Sequence, residues 1–215
     1  MKVLTVANRK GGAGKSTCAA HLAVEAANAG YKIILIDLDP QQTLEGWWNK
    51  REKDDIDLME VKSLNLSDQI SKLSSSGFDL CIVDTPGDAS ENAKAGINIA
   101  DLVVIPSKPT APDLSAIGRT ISMVEEAGKK FVFVITQGMV NTNLGFQASS
   151  ALSGFGKVAP AIIANRASYA RAMGCGDSAS SEDKKAAEEI SKVWDFVKEN
   201  IFETSAFKHK KKLIA

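Results

Sequence analysis

Short apolar runs alternate with longer stretches in which apolar residues recur every three or four positions. The runs at 3–7, 31–37, 78–84, 102–105, 130–136 and 158–164 are the length of buried strands, and 57–61 is a further short one. Between them, 18–29, 41–53, Leu66–Leu73, 90–100, 114–127 and a weaker stretch ending at Leu152 carry helical spacing. The last helical stretch, 182–202, places Ala186, Ile190, Val193, Trp194, Val197 and Ile201 on one face. Strand and helix alternating in this way predict an α/β chain, with a doubly wound, mostly parallel sheet covered by helices on both sides. No internal repeat or long linker interrupts the pattern, so residues 1–203 read as one domain and 204–215 as a short basic tail.

The first strand-to-helix connection is the informative one. Lys10-Gly11-Gly12-Ala13-Gly14-Lys15-Ser16-Thr17 stands between an apolar strand and an alanine-rich helix. A glycine-rich turn there leaves backbone N–H groups free to point at an anion, and the helix dipole adds to the attraction. Lys15 is then placed to reach outer phosphates, and Ser16 to ligate Mg²⁺. The general phosphate-loop pattern, G-x-x-x-x-G-K-[ST], has a glycine where this chain has Arg9. What stands instead is K-G-G-x-G-K-S, with an additional lysine, Lys10, at its front.

Two further strands end in acid at the edge where open α/β sheets bind ligands. Asp37-Leu38-Asp39-Pro40-Gln41 offers two carboxylates two residues apart; on an extended segment both would face the phosphate loop. Leu80-Cys81-Ile82-Val83-Asp84 is an apolar strand ending in one carboxylate, and it runs into the turn Thr85-Pro86-Gly87.

Composition adds limits. Among 215 residues, 26 Lys+Arg balance 26 Asp+Glu, so global charge points to no polyanion and any DNA contact needs a local patch. The three cysteines are far apart; Cys18 and Cys81 fall inside core elements, as expected of buried thiols in a reducing compartment. Met1-Lys2 leads straight into a strand, no signal peptide is expected, and no apolar run approaches the ~20 residues of a membrane span.

The loop and the two acidic motifs together resemble the ParA/MinD family of deviant Walker A ATPases, in particular the small ParF-type plasmid partition ATPases. The resemblance implies ATP and Mg²⁺ as ligands; the residues themselves decide only that no N-K-x-D guanine motif is present. It makes Gly11, Gly12, Ala13, Gly14, Lys15, Ser16 and Thr17 the nucleotide cradle and assigns Ser16, Asp37 and Asp84 to the metal. It also implies that Asp39 positions the attacking water, and that Lys10 reaches a partner's phosphates in an ATP-dependent homodimer. Gln41 would lie in a nucleotide-sensing switch. The loop 106–113, with Pro109, resembles the family's proline-rich segment at the nucleotide and dimer interface.

Arg166 and Arg171 fall in a segment that often contributes to DNA binding in the family, and Lys208, Lys210 and Lys211 form the densest basic run. The function implied is that of a cytoplasmic ATPase, nucleoid-associated when ATP-bound. It would bind nonspecific DNA, position a plasmid or other cargo, and be released when a ParB-like or other cargo adaptor stimulates hydrolysis. The alternatives are a MinD-like membrane-cycling ATPase, disfavoured by the thin apolar stripe of the tail, and an ATP-dependent ligase on the same fold.

Overall fold

The structure, a computed structural model, describes residues 1–61 and 66–202. The strands are β1 (Lys2–Val6), β2 (Ile33–Asp37), β3 (Ile56–Leu58), β4 (Leu80–Asp84), β5 (Leu102–Ser107), β6 (Phe131–Ile135) and β7 (Lys157–Val158). They form one sheet in the order β3-β2-β4-β1-β5-β6-β7, and every pairing is parallel. β1 is central, and the chain crosses to one side of it before β4 and to the other after. The loops that leave β1, β2, β4 and β5 therefore converge at one carboxyl edge.

The helices are α1 (Lys15–Asn28), α2 (Thr43–Trp48), α3 (Leu66–Leu73), α4 (Glu91–Asn98), α5 (Ala111–Ala116), α6 (Gly118–Glu126), α7 (Leu144–Ser153), α8 (Ala167–Cys175) and α9 (Lys184–Phe202). Side chains alternate across the sheet as the pleat requires. Leu4, Val6, Leu35, Ile82 and Val104 face α1, α8 and α9, while Val3, Ile36, Val83, Val103 and Ile105 face the helices of the other side. α1 is buried along most of its length, and Ala19, Ala20, Ala23 and Ala26 let it lie close to the sheet. The expected face of α9 is buried throughout, Trp194 included. Cys18 and Cys81 are buried, with burial pushing both thiols up to about 12; Cys175 is exposed.

Three elements differ from the pattern. The stretch 158–164 is a strand only at its first residue, because Pro160 has no N–H to donate and the chain leaves the ladder. It stays tethered through Ala159 N–H to Phe133 O, Ile163 N–H to Ile135 O and a bridge between Gly138 and Ala164. The stretch 114–127 begins earlier and divides into α5 and α6 around Ile117, since the Thr110 side chain caps a turn that Pro112 can join without losing a hydrogen bond. α8 has no counterpart among the expected helices; its alanines and its Gly174 dilute the apolar period. The tail carrying Lys208, Lys210 and Lys211 lies outside the described residues.

Candidate nucleotide and metal site

The phosphate loop is shaped by two left-handed residues, Gly12 (φ 71°) and Gly14 (φ 87°). Gly14 is also the residue from which α1 departs, and a side chain at either position would strain the turn. Neighbours hold the loop from outside. Thr136 Oγ1 donates to Ala13 O at 2.8 Å and Gln137 Nε2 to Gly12 O at 2.9 Å. With those carbonyls turned outward, the intervening N–H groups and the start of α1 face a cleft of about 590 Å³. Gly11, Lys15, Ser16, Thr17, Asp39 and Gly87 are among its lining residues.

A buried polar network aligns the loop's first half. Asn8, 5% exposed, accepts from Lys10 N–H at 2.9 Å and donates to Pro106 O at 2.6 Å. Thr120 Oγ1 accepts from Arg9 N–H at 3.1 Å. The amide of Asn8 thus ties the phosphate loop to the loop after β5. No sequence motif announced Asn8 or Thr120. Their role comes from pairing across 98 and 111 residues of chain.

Lys15 is buried, and a Cβ placed on Gly87 would crowd its Nζ and the Gly11 backbone, each at 3.2 Å, so glycine eases the close approach of the loop after β4. Asp84, fully buried, accepts from Thr85 N–H through Oδ1, whereas Oδ2 has no partner among the described residues. Burial pushes the Asp84 carboxyl up to about 7; the Ser16 hydroxyl opposes this, Asp37 adds to it, and Lys15 opposes it. An orphan carboxylate oxygen with the Ser16 hydroxyl beside it fits a Mg²⁺ ion that keeps most of its waters and takes phosphate oxygens.

The two carboxylates of this segment take different partners. Asp39 lines the cleft. Asp37 is held by backbone donors: its Oδ1 accepts from Asp39 N–H at 3.0 Å, and Oδ2 from Leu44 N–H and Glu45 N–H, each at 3.0 Å. Asp37 therefore serves as the N-terminal cap of α2, where Gln42 is left-handed and supplies no cap of its own. It orients the segment that carries Asp39, and it stands in register with Asp84 of β4.

Lys10 lies at the rim, with its ammonium 2.9 Å from Asp113 Oδ1. Thr110 Oγ1 donates to the other oxygen of Asp113, and Pro109 is buried in the same loop.

Beside the phosphate cleft, and sharing Gly14, Thr17 and Gln137 with it, a narrower cleft of about 170 Å³ is lined by Cys18, Ile163 and Tyr169. Its size, apolar wall and polar rim suit a planar base. The wall hangs on Glu189 of α9, which accepts from Ala164 N–H, from Tyr169 Oη and from Arg166 Nε. Arg166 is thereby bound into the fold, whereas Arg171 pairs with Glu182 at 2.9 Å in an exposed position. Behind the wall, His21 is locked neutral between Thr17 O and Ala179 N–H, and burial lowers its pKa to about 4.

A parallel sheet, a glycine loop opening a helix, buried Lys15 and orphaned Asp84 together define a phosphate-loop nucleotide-binding protein. Residues 4–153 match the family described as the CobQ/CobB/MinD/ParA nucleotide binding domain, and the chain belongs to that family. It is 34% identical over 128 residues to Protein ParA of Rhizobium radiobacter, covering 59% of this chain and 57% of that one. It is 33% identical over 123 residues to Maintenance of carboxysome distribution protein A of Gloeobacter kilaueensis, covering 56% of this chain and 55% of that one. The chain thus spans little more than half the length of these two relatives. The cell division ATPase MinD of Pyrococcus furiosus has the same fold, with a TM-score of 0.78 at 16% identity, over 92% of this chain and 98% of that one.

Proposed function

We propose that this chain is a Mg²⁺-dependent ATP hydrolase whose ATP form closes a homodimer, binds nonspecific DNA and positions a cargo. Hydrolysis, stimulated by a ParB-like or other adaptor carrying that cargo, would release it. The observation that carries the reading is Lys10: a cation at the front of the phosphate loop, 36% exposed, whose own backbone is fixed by Asn8. An exposed ammonium held at that rim suits reaching the phosphates of a second copy facing it.

The chemistry would divide as follows. Lys15 and the loop N–H groups hold the phosphates, because phosphoryl transfer is mainly a matter of position and charge neutralisation. Ser16 and Asp84 would hold Mg²⁺, which supplies charge at the outer phosphate oxygens when bound. Asp39, on the segment that Asp37 orients, aligns the attacking water. Lys10 adds charge as negative charge spreads over the transferring group, so turnover depends on dimer closure. The base cleft supports adenine through shape, and the names of the ParA and carboxysome-distribution relatives support a role in partition or distribution.

The test is binding to nonspecific duplex DNA with ATP, with ADP and without nucleotide, at two salt concentrations. ATP-dependent binding that weakens as salt rises supports the reading. Equal binding in all three states, or none in any, removes the DNA surface from it.

A further inference from the structure

Of the lysines near the loop, the sequence motif accounts for Lys10 and Lys15. Lys108, on the loop after β5, belongs to no part of it. Its side chain nevertheless folds back over the phosphate loop: a Cβ built on Gly12 would lie 3.7 Å from Lys108 Nζ. The residue is half-buried, and among the described residues no carboxylate lies within 4 Å of its ammonium. The nearby acid is committed elsewhere, since Asp113 gives one oxygen to Lys10 and the other to Thr110. Burial would raise the Asp113 carboxyl, but the Thr110 hydroxyl, Lys10 and, at longer range, Lys108 outweigh it and hold the group below its ordinary value.

The backbone that presents Lys108 is pinned. Asn8 holds Pro106 O, Ser107 O accepts from Thr136 N–H, and Ser107 Oγ donates to the Lys108 carbonyl. A partly desolvated cation held without a counter-ion is unfavourable unless an anion arrives. The geometry also says which part of a nucleotide arrives there. The base cleft shares Gly14, Thr17 and Gln137 with the phosphate cleft, whereas Gly11, Gly12 and Gly87 line the phosphate cleft alone. A nucleotide with its base in the one and its phosphates in the other brings its outer phosphates among the residues of the phosphate cleft alone, Gly12 included.

We propose that Lys108 is a third phosphate-binding lysine, supplied by the same chain, that contacts the terminal phosphate at the Gly12 rim and so favours triphosphate over diphosphate. This rests on the reading of the cleft as a nucleotide site. It gives the separate chain a means of recognising ATP before any second copy supplies Lys10. Because the contact is charge-assisted and one phosphate group distinguishes the ligands, its loss falls on the triphosphate alone.

The experiment measures binding of a nonhydrolysable ATP analogue and of ADP, each with Mg²⁺, by calorimetry on the full chain carrying Lys10→Ala, so that dimer closure does not contribute. Into that background go Lys108→Ala, Lys108→Arg and, separately, Lys15→Ala. Lys108→Ala is expected to weaken the analogue about tenfold and ADP less than about twofold, with Lys108→Arg recovering most of the loss. Equal losses for both ligands would mean that Lys108 only shapes the loop, and unchanged affinities would mean that it meets no phosphate; either overturns the proposal. Lys15→Ala reports on the site itself. If the Lys10→Ala chain binds neither ligand, or Lys15→Ala binds both as well as its parent, the nucleotide reading falls and this proposal with it.

Discussion

Lys10 Nζ rests 2.9 Å from Asp113 Oδ1, so in the single chain the lysine that distinguishes this phosphate loop is already engaged by the first turn of α5. Reaching a second copy means leaving that carboxylate, which is 7% exposed. Asp113→Asn keeps the size of the side chain and removes the charge that holds Lys10. The variant is expected to dimerise with ATP at a protein concentration about three- to tenfold lower, in line with a partly exposed ion pair. Sedimentation across a concentration series measures this; an unchanged midpoint would mean that the contact does not restrain closure.

Asp39 lines the cleft while Asp37 holds the start of α2, so the two carboxylates should fail differently when neutralised. Asp39→Ala is expected to bind ATP normally, to accumulate as a dimer and to lose at least about a hundredfold in turnover. Asp37→Ala is expected to lose stability first, by about 1–2 kcal/mol, as a missing helix cap does. Turnover assays beside urea denaturation separate the two, and normal turnover by the Asp39 variant would count against the assigned role.

Burial pushes the Asp84 carboxyl up to about 7, against 3.8 ordinarily. An acid whose pKa is raised on folding binds its proton more tightly when folded. Its contribution to stability is therefore fully present below pH 3.8 and declines as pH rises through about 7. Asp84→Asn removes that decline, and the nucleotide-free variant should melt a few degrees higher than the parent at pH 8. It should also lose the gain in melting temperature that Mg²⁺ adds to ATP. A parent whose pH profile matches that of Asp84→Asn would show that the carboxylate is not under strain.

Arg166 and Arg171 occupy the same short segment, yet Arg171, whose pair with Glu182 is exposed, can meet a polyanion at less cost to the fold than Arg166. Arg166→Ala is expected to cost about 1–2 kcal/mol of stability, because it leaves Glu189 without its fork of donors beneath the base cleft. Arg171→Ala is expected to change stability by less than about 0.5 kcal/mol. If this face touches DNA, Arg171→Ala lowers affinity and flattens the salt dependence by about one charge. A loss of DNA binding confined to Arg166→Ala in a fully folded protein would reverse that assignment.

The local chemistry was legible along the chain because it depends on near neighbours. Gly12, Gly14, Lys15 and Ser16 act through one turn of backbone, and a buried strand ending in Asp84 is a pattern of seven residues. The alternation of Leu4 and Val6 with Val3 and Thr5 likewise required only the pleat, and with it came the parallel α/β arrangement. Other features depended on distant segments meeting. The direction of Asp37 was set by the unpaired amides of α2, stronger claimants than a shared strand face. The base cleft needed Glu189 of α9 brought under Ala164 and Arg166, and α8 formed despite a diluted apolar period because Tyr169 and Ala172 had a core to enter. The resemblance placed the loop 106–113 near the nucleotide, but nothing in it put Lys108 over Gly12. A lysine between two prolines looks solvated until Asn8 joins its loop to the phosphate loop across 98 residues. Residue type and spacing thus determined which groups can bind phosphate and metal. Only packing decided which of those groups face the cleft, because orientation is settled by whichever buried donor or acceptor must be satisfied first.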